Sequence, residues 1–144
     1  MAKRILVPLG TREADQAILP LVATVARDTG ATVRLLRVYP IPEHVVGSHG
    51  RTVAYVDQEM DRLSREGVME LKAMAETTLD GVPVETVIRF GDPAAEILIE
   101  AEAFDADLIA LTTTERSRLR RAVFGSTADK GTRKAPLPTL VLRA

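Results

Sequence analysis

The chain of 144 residues has the length of one domain, which buries roughly 68 to 70% of its unfolded surface. Its 46% hydrophobic and 27% charged residues are the balance of a globular protein and exclude intrinsic disorder. With no cysteine, only 2 histidines and a net charge of -1, it lacks the thiolates of a zinc centre and the positive field that draws polyanions, so neither a metalloenzyme nor a nucleic-acid partner is expected.

Met1 to Lys3 leads directly into apolar sequence, without the longer apolar stretch and cleavage site of a signal peptide, and nothing reaches transmembrane length. A single cytoplasmic domain over residues 1–144, with no membrane partner, is the expectation.

Arg4 to Leu9 is short, β-branched and apolar on both faces, as in a parallel strand covered by helices on each side, and Pro8 should mark its end. Ala14, Ile18, Leu21, Val22 and Val25 recur with helical spacing, which predicts a helix from Thr11 to Thr29, capped by Thr11 and kinked at Pro20. Gly30 ends it, and Thr32 to Val38 reads as the second strand.

His44 to Val53 reads as a polar loop. Met60, Leu63, Leu71, Met74 and Ala75 then lie on a long charged amphipathic helix that ends near Gly81. Val84 to Phe90 is a third strand. Gly91 turns the chain, Asp92 is placed to cap and Pro93 to open the helix Ala94 to Phe104.

Asp107 to Thr112 makes the fourth strand, Ser126 to Lys134 a short helix, and Leu137 to Arg143 a terminal strand whose proline suits a sheet edge. Five strands alternating with four helices predict a three-layer, doubly wound α/β fold on a parallel sheet.

In such sheets ligands sit beyond the carboxyl ends of the strands where strand order reverses, which selects the loops Gly10 to Glu13 and Thr112 to Ser126. The second loop carries Thr112, Thr113, Arg116, Arg118, Arg120 and Arg121, then Gly125-Ser126-Thr127 at a helix start, where free amides favour an anion. The plainer reading is that Ser126 caps the helix, Gly125 permits the turn and the arginines form a solvated basic face.

His44 and His49 have no neighbouring nucleophile, and the acidic residues alternate with Lys and Arg as on a solvated surface, so no catalytic residue is nominated.

Gly125-Ser-Thr-Ala followed by Ala135-Pro-Leu-Pro-Thr-Leu-Val-Leu-Arg143 resembles the ending of the universal stress protein family. The resemblance runs along the whole chain, through Ile5-Leu-Val-Pro-Leu9, Leu35-Leu-Arg-Val38, Gly91-Asp-Pro93 and Ala106-Asp-Leu-Ile109. It implies a flavodoxin-like sheet of order 3-2-1-4-5 and a homodimer joined through the last strand. An edge strand containing Thr139, Leu140, Val141 and Leu142 supplies the unpaired backbone and apolar side chains for that contact.

One branch of the family binds ATP through a Gly-x-x-Gly segment, nine residues, then Gly followed by Ser or Thr. Gly125 and Ser126 match its tail, but Thr112 and Glu115 stand at its two earlier glycines, and Gly10 stands where nucleotide binders carry an aspartate. Val38 matches the adenine-contacting valine, a residue that packing would also select.

The expectation is therefore a dimeric stress-response interaction or sensing module that is not a strong ATP binder, needs no cofactor and is not an enzyme. The alternative is that ATP or another phosphorylated small molecule binds through Gly10, Val38, Thr112, Thr113, Arg118, Gly125, Ser126 and Thr127. Slow nucleotide hydrolysis is the least favoured reading.

Overall fold

The computed structural model describes residues 3–42, 49–113 and 138–142, the stretch 49–55 as backbone only. Five strands, β1 (Arg4–Pro8), β2 (Thr32–Tyr39), β3 (Val84–Phe90), β4 (Leu108–Thr112) and β5 (Thr139–Leu142), form one sheet of order β3-β2-β1-β4-β5. Every pairing is parallel. This is the flavodoxin-like order that the family resemblance implies.

Strand alternation divides the core in two. Ile5, Val7, Val33 and Leu35 face α1 (Leu19–Thr29) and α2 (His49–Thr78), meeting Leu19, Val22, Ala26 and Leu71. Leu6, Leu36, Ile109 and Leu111 face α3 (Pro93–Phe104), meeting Ile97, Ala101 and Phe104. Covering both faces is what lets β1 be apolar from Ile5 to Pro8. Pro8 ends β1 as expected, and the ladder is carried one step further by the Leu9 amide, which donates to the Leu36 carbonyl at 2.8 Å.

The first helix departs from expectation. A 3-10 turn occupies Glu13–Ile18, and α1 begins only at Leu19, so Pro20 lies in its first turn. There the missing N–H is not needed, and no kink arises. Thr11 is not the cap: Arg12 precedes the 3-10 turn and Ile18 precedes α1, neither with a side-chain cap bond. At the far end Gly30 adopts φ 72°, the left-handed conformation that closes a helix without a β-carbon clash.

The loop expected to extend to Val53 is also shorter, because α2 starts at His49. Gly50 then falls in the first turn of a 30-residue helix, where one unfavourable residue of about 1 kcal/mol does not outweigh propagation. Residues 43–48 lie outside the described residues. Near its middle α2 approaches the sheet closely: a β-carbon on Gly67 would stand 2.7 Å from Ile88 Cδ1 and 3.0 Å from the Tyr39 hydroxyl.

The start of α3 follows the sequence closely, with Asp92 accepting from the Ala95 amide at 3.0 Å and Pro93 in the first turn. Among the described residues β5 pairs with β4 alone and is an edge of the sheet, entered from Pro138, whose carbonyl accepts from the Ile109 amide at 3.0 Å. The short helix expected over Ser126 to Lys134 lies outside the described residues.

Candidate functional site

Strand order reverses between β1 and β4, so their carboxyl ends diverge and leave the crevice that open α/β sheets use for ligands. The sequence selected this edge, and the structure brings together Gly10, two residues beyond β1, and Thr112, which ends β4. Gly10 is half-buried, Thr112 is 1% exposed, and Thr113 is half-buried immediately after it.

Bonded to Thr112 is a residue that the sequence reading passed over. Asp15 is 2% exposed and accepts from the Thr112 hydroxyl at 3.3 Å through Oδ1. Its other oxygen, Oδ2, is buried and without a hydrogen-bond partner among the described residues. A buried acceptor left unsatisfied is costly.

The geometry of the 3-10 turn is why Asp15 faces inward. With three residues per turn, positions i and i+3 eclipse, so Asp15 lies over Ile18, and both are buried. Read as an α-helix, the same segment does not bring those two positions directly into line. Pro20 is the signal in the sequence that could have revealed it, because a proline fits the start of an α-helix and not its middle.

Arg37 was missed as well. On β2 it follows Val33 and Leu35 at period two, so it points into the apolar layer and is only 2% exposed. Its Nη2 donates to the Gly10 carbonyl at 3.1 Å, its Nε to the Leu9 carbonyl at 3.4 Å, and its Nη1 to the Tyr39 hydroxyl at 3.3 Å and to Glu70. Burial works against its charge, but the bonds to Tyr39 and Glu70 outweigh it and hold the guanidinium more firmly protonated.

The expectation that the carboxylates are all solvated surface fails at Glu100. That side chain is 3% exposed under α3, bonded to Arg34 Nη1 at 2.5 Å and Arg89 Nη1 at 3.0 Å. Arg34 also bonds Glu85 at 2.7 Å and stacks 4.1 Å over the Phe104 ring, while Arg89 bonds Glu96 at 2.7 Å. This network lies on the sheet face opposite Arg37 and fastens α3 to β2 and β3.

Val38 is half-buried and packs with the α3-side core, the role that packing alone assigns to it. Arg118, Gly125, Ser126 and Thr127 lie outside the described residues, as does Glu115. Thr139, Leu140, Val141 and Leu142 form β5; Leu140 and Leu142 pack toward one core layer and Val141 toward the other. Among the described residues no group of three or more His, Cys, Asp or Glu side chains could hold a metal ion, and no helix is long and apolar enough to cross a membrane.

The universal stress protein family model matches residues 1–143. The chain belongs to this family. A curated relative, universal stress protein MJ0531 of Methanocaldococcus jannaschii, is 27% identical over 141 residues, covering 98% of this chain and 82% of the relative. The solved structure of hypothetical protein MJ0577 superposes with a TM-score of 0.69 at 23% identity, over 99% of this chain and 96% of that one. The universal stress protein of Archaeoglobus fulgidus solved in complex with dAMP superposes with a TM-score of 0.57 at 15% identity, over 96% of each chain. At these identities the two structures share the fold.

Proposed function

We propose that this universal stress protein is a homodimeric stress-response sensing module whose β1–β4 edge disfavours ATP. The observation that carries the reading is the buried pair of Asp15 and Thr112. Thr112 stands at the first glycine position of the family's nucleotide motif, and a side chain there takes space that glycine leaves for a phosphate. Asp15 sets a carboxylate beside that space, with no hydrogen-bond partner for Oδ2 among the described residues. A triphosphate approaching this edge meets like charge in a region of low dielectric. Glu115 stands at the second glycine position of that motif. Isothermal titration with Mg-ATP tests the reading: micromolar affinity overturns it.

A second reading keeps a nucleotide of lower phosphate charge. It is favoured by Asp15 Oδ2, an acceptor free to take a hydrogen bond from a nucleoside hydroxyl or amine, and by the dAMP held by the fulgidus relative. In this reading Gly10 and Thr113 line the edge, while the amides of Gly125, Ser126 and Thr127, with Arg118, receive the phosphate. Saturable binding of dAMP with no comparable binding of Mg-ATP supports it; equal affinity for both contradicts it.

Homodimerisation through β5 belongs to the same proposal. A sheet edge leaves one side of its backbone unpaired, and a second copy of the strand satisfies those groups.

A further inference from the structure

Arg37 spans more of the molecule than any purely local ion pair requires. Its fork reaches two successive carbonyls of the loop after β1, at Leu9 and Gly10, and the carboxylate of Glu70 on α2. A guanidinium carries five N–H donors in a rigid plane, so one side chain fixes all three at once, whereas a lysine ammonium on its flexible stem cannot reproduce that pattern. Glu70 is half-exposed on the helix surface while Arg37 is buried, so the bond crosses from the core to a position open to solvent.

We infer that Arg37 is a positioning residue that couples the ligand edge to α2. It sets the directions of the Leu9 and Gly10 carbonyls, and through Glu70 it makes a displacement of Gly10 felt on the helix and a change on the helix felt at Gly10. A sensing module needs such a connection between the place where a ligand sits and a surface that a partner can read. The inference rests on the β1–β4 edge being the ligand site, and the first arm of its test needs no ligand.

In isotopically labelled protein the backbone carbonyl resonances of Leu9 and Gly10 are compared between wild type, Glu70→Gln, Arg37→Lys and the control Glu66→Gln. Glu66 lies on the same helix, is half-exposed and pairs with Arg62. The expected result is displaced Leu9 and Gly10 resonances in E70Q, larger displacements in R37K and none in E66Q. Leu9 and Gly10 resonances that stay in place in a folded E70Q overturn the inference. E70Q alone decides where R37K fails to fold.

In the second arm dAMP is added to labelled wild type. Shifts at Gly10 accompanied by shifts around Glu70 are expected, and shifts at Gly10 with none around Glu70 overturn the coupling. Absence of every shift counts against the nucleotide reading, and the first arm then decides the role of Arg37 by itself.

Discussion

The hydroxyl of Thr112 donates to Oδ1 of Asp15 at 3.3 Å, joining the end of β4 to the 3-10 turn after β1 across 97 positions of sequence. Both groups are buried, so the bond has no water to replace it. Thr112→Val keeps the shape but removes the donor, leaving Asp15 with no partner for either oxygen among the described residues. A loss of about 1 to 3 kcal/mol is expected, read as a lower urea midpoint, with Thr112→Ser restoring most of it. A midpoint equal to wild type for T112V contradicts the account of this pair.

Glu100 bridges Arg34 and Arg89 from a buried position, and removing it leaves Arg34 with Glu85 and Arg89 with Glu96 as their remaining carboxylate partners. Glu100→Ala is expected to destabilise the protein by about 1 to 3 kcal/mol, the cost of losing buried charge-assisted hydrogen bonds. Glu85 shares Arg34 but is half-exposed, and Glu85→Ala is expected to cost under about 1 kcal/mol. Chemical denaturation of the two variants side by side checks the contrast; equal losses contradict it.

Asp107 accepts from the backbone amides of Lys3 at 2.6 Å and Arg4 at 2.8 Å, tying the start of β1 to that of β4. Those two amides hold its carboxyl below the ordinary value of 3.8. A carboxylate with a depressed folded pKa stabilises the fold above its unfolded pKa, and that contribution fades as pH falls through the folded value. Asp107→Asn is therefore expected to lower the melting temperature near pH 7, with the gap to wild type narrowing below about pH 4. A gap that stays constant between pH 7 and pH 3 contradicts this.

Among the described residues β5 pairs with another strand on one side only. Light scattering at micromolar concentration is expected to give twice the 15.6 kDa of the chain, and Val141→Pro, which removes a strand N–H, to shift the mass toward the monomer. A monomeric mass for wild type contradicts dimerisation.

Much of the architecture was legible because it rests on local patterns. The apolar run Ile5 to Val7 signals a strand buried on both faces, and Gly91-Asp92-Pro93 marks the start of α3 to within one residue. The candidate site was legible only as a location. Gly10 and Thr112 followed from where strand order reverses, but Asp15 did not, because the segment around it has helical spacing and its inward turn depends on a 3-10 geometry. Arg37 and Glu100 share another cause: each is a charged residue on an inner face, accepted because partners from distant segments satisfy it. Composition reads such residues as surface. The period-two run Val33, Leu35, Arg37 was the available clue for one of them.

The central claim is that negative charge and side-chain bulk at the β1–β4 edge keep a triphosphate out. Calorimetric titration of dialysed wild type and Asp15→Asn with Mg-ATP tests it most directly. Two unit charges about 10 Å apart at an effective dielectric near 20 interact by about 1.7 kcal/mol, so neutralising Asp15 is worth roughly tenfold in affinity. Wild type is expected to bind Mg-ATP no more tightly than millimolar, with D15N about tenfold tighter. Micromolar binding by wild type, or D15N binding no better than wild type, would contradict the claim.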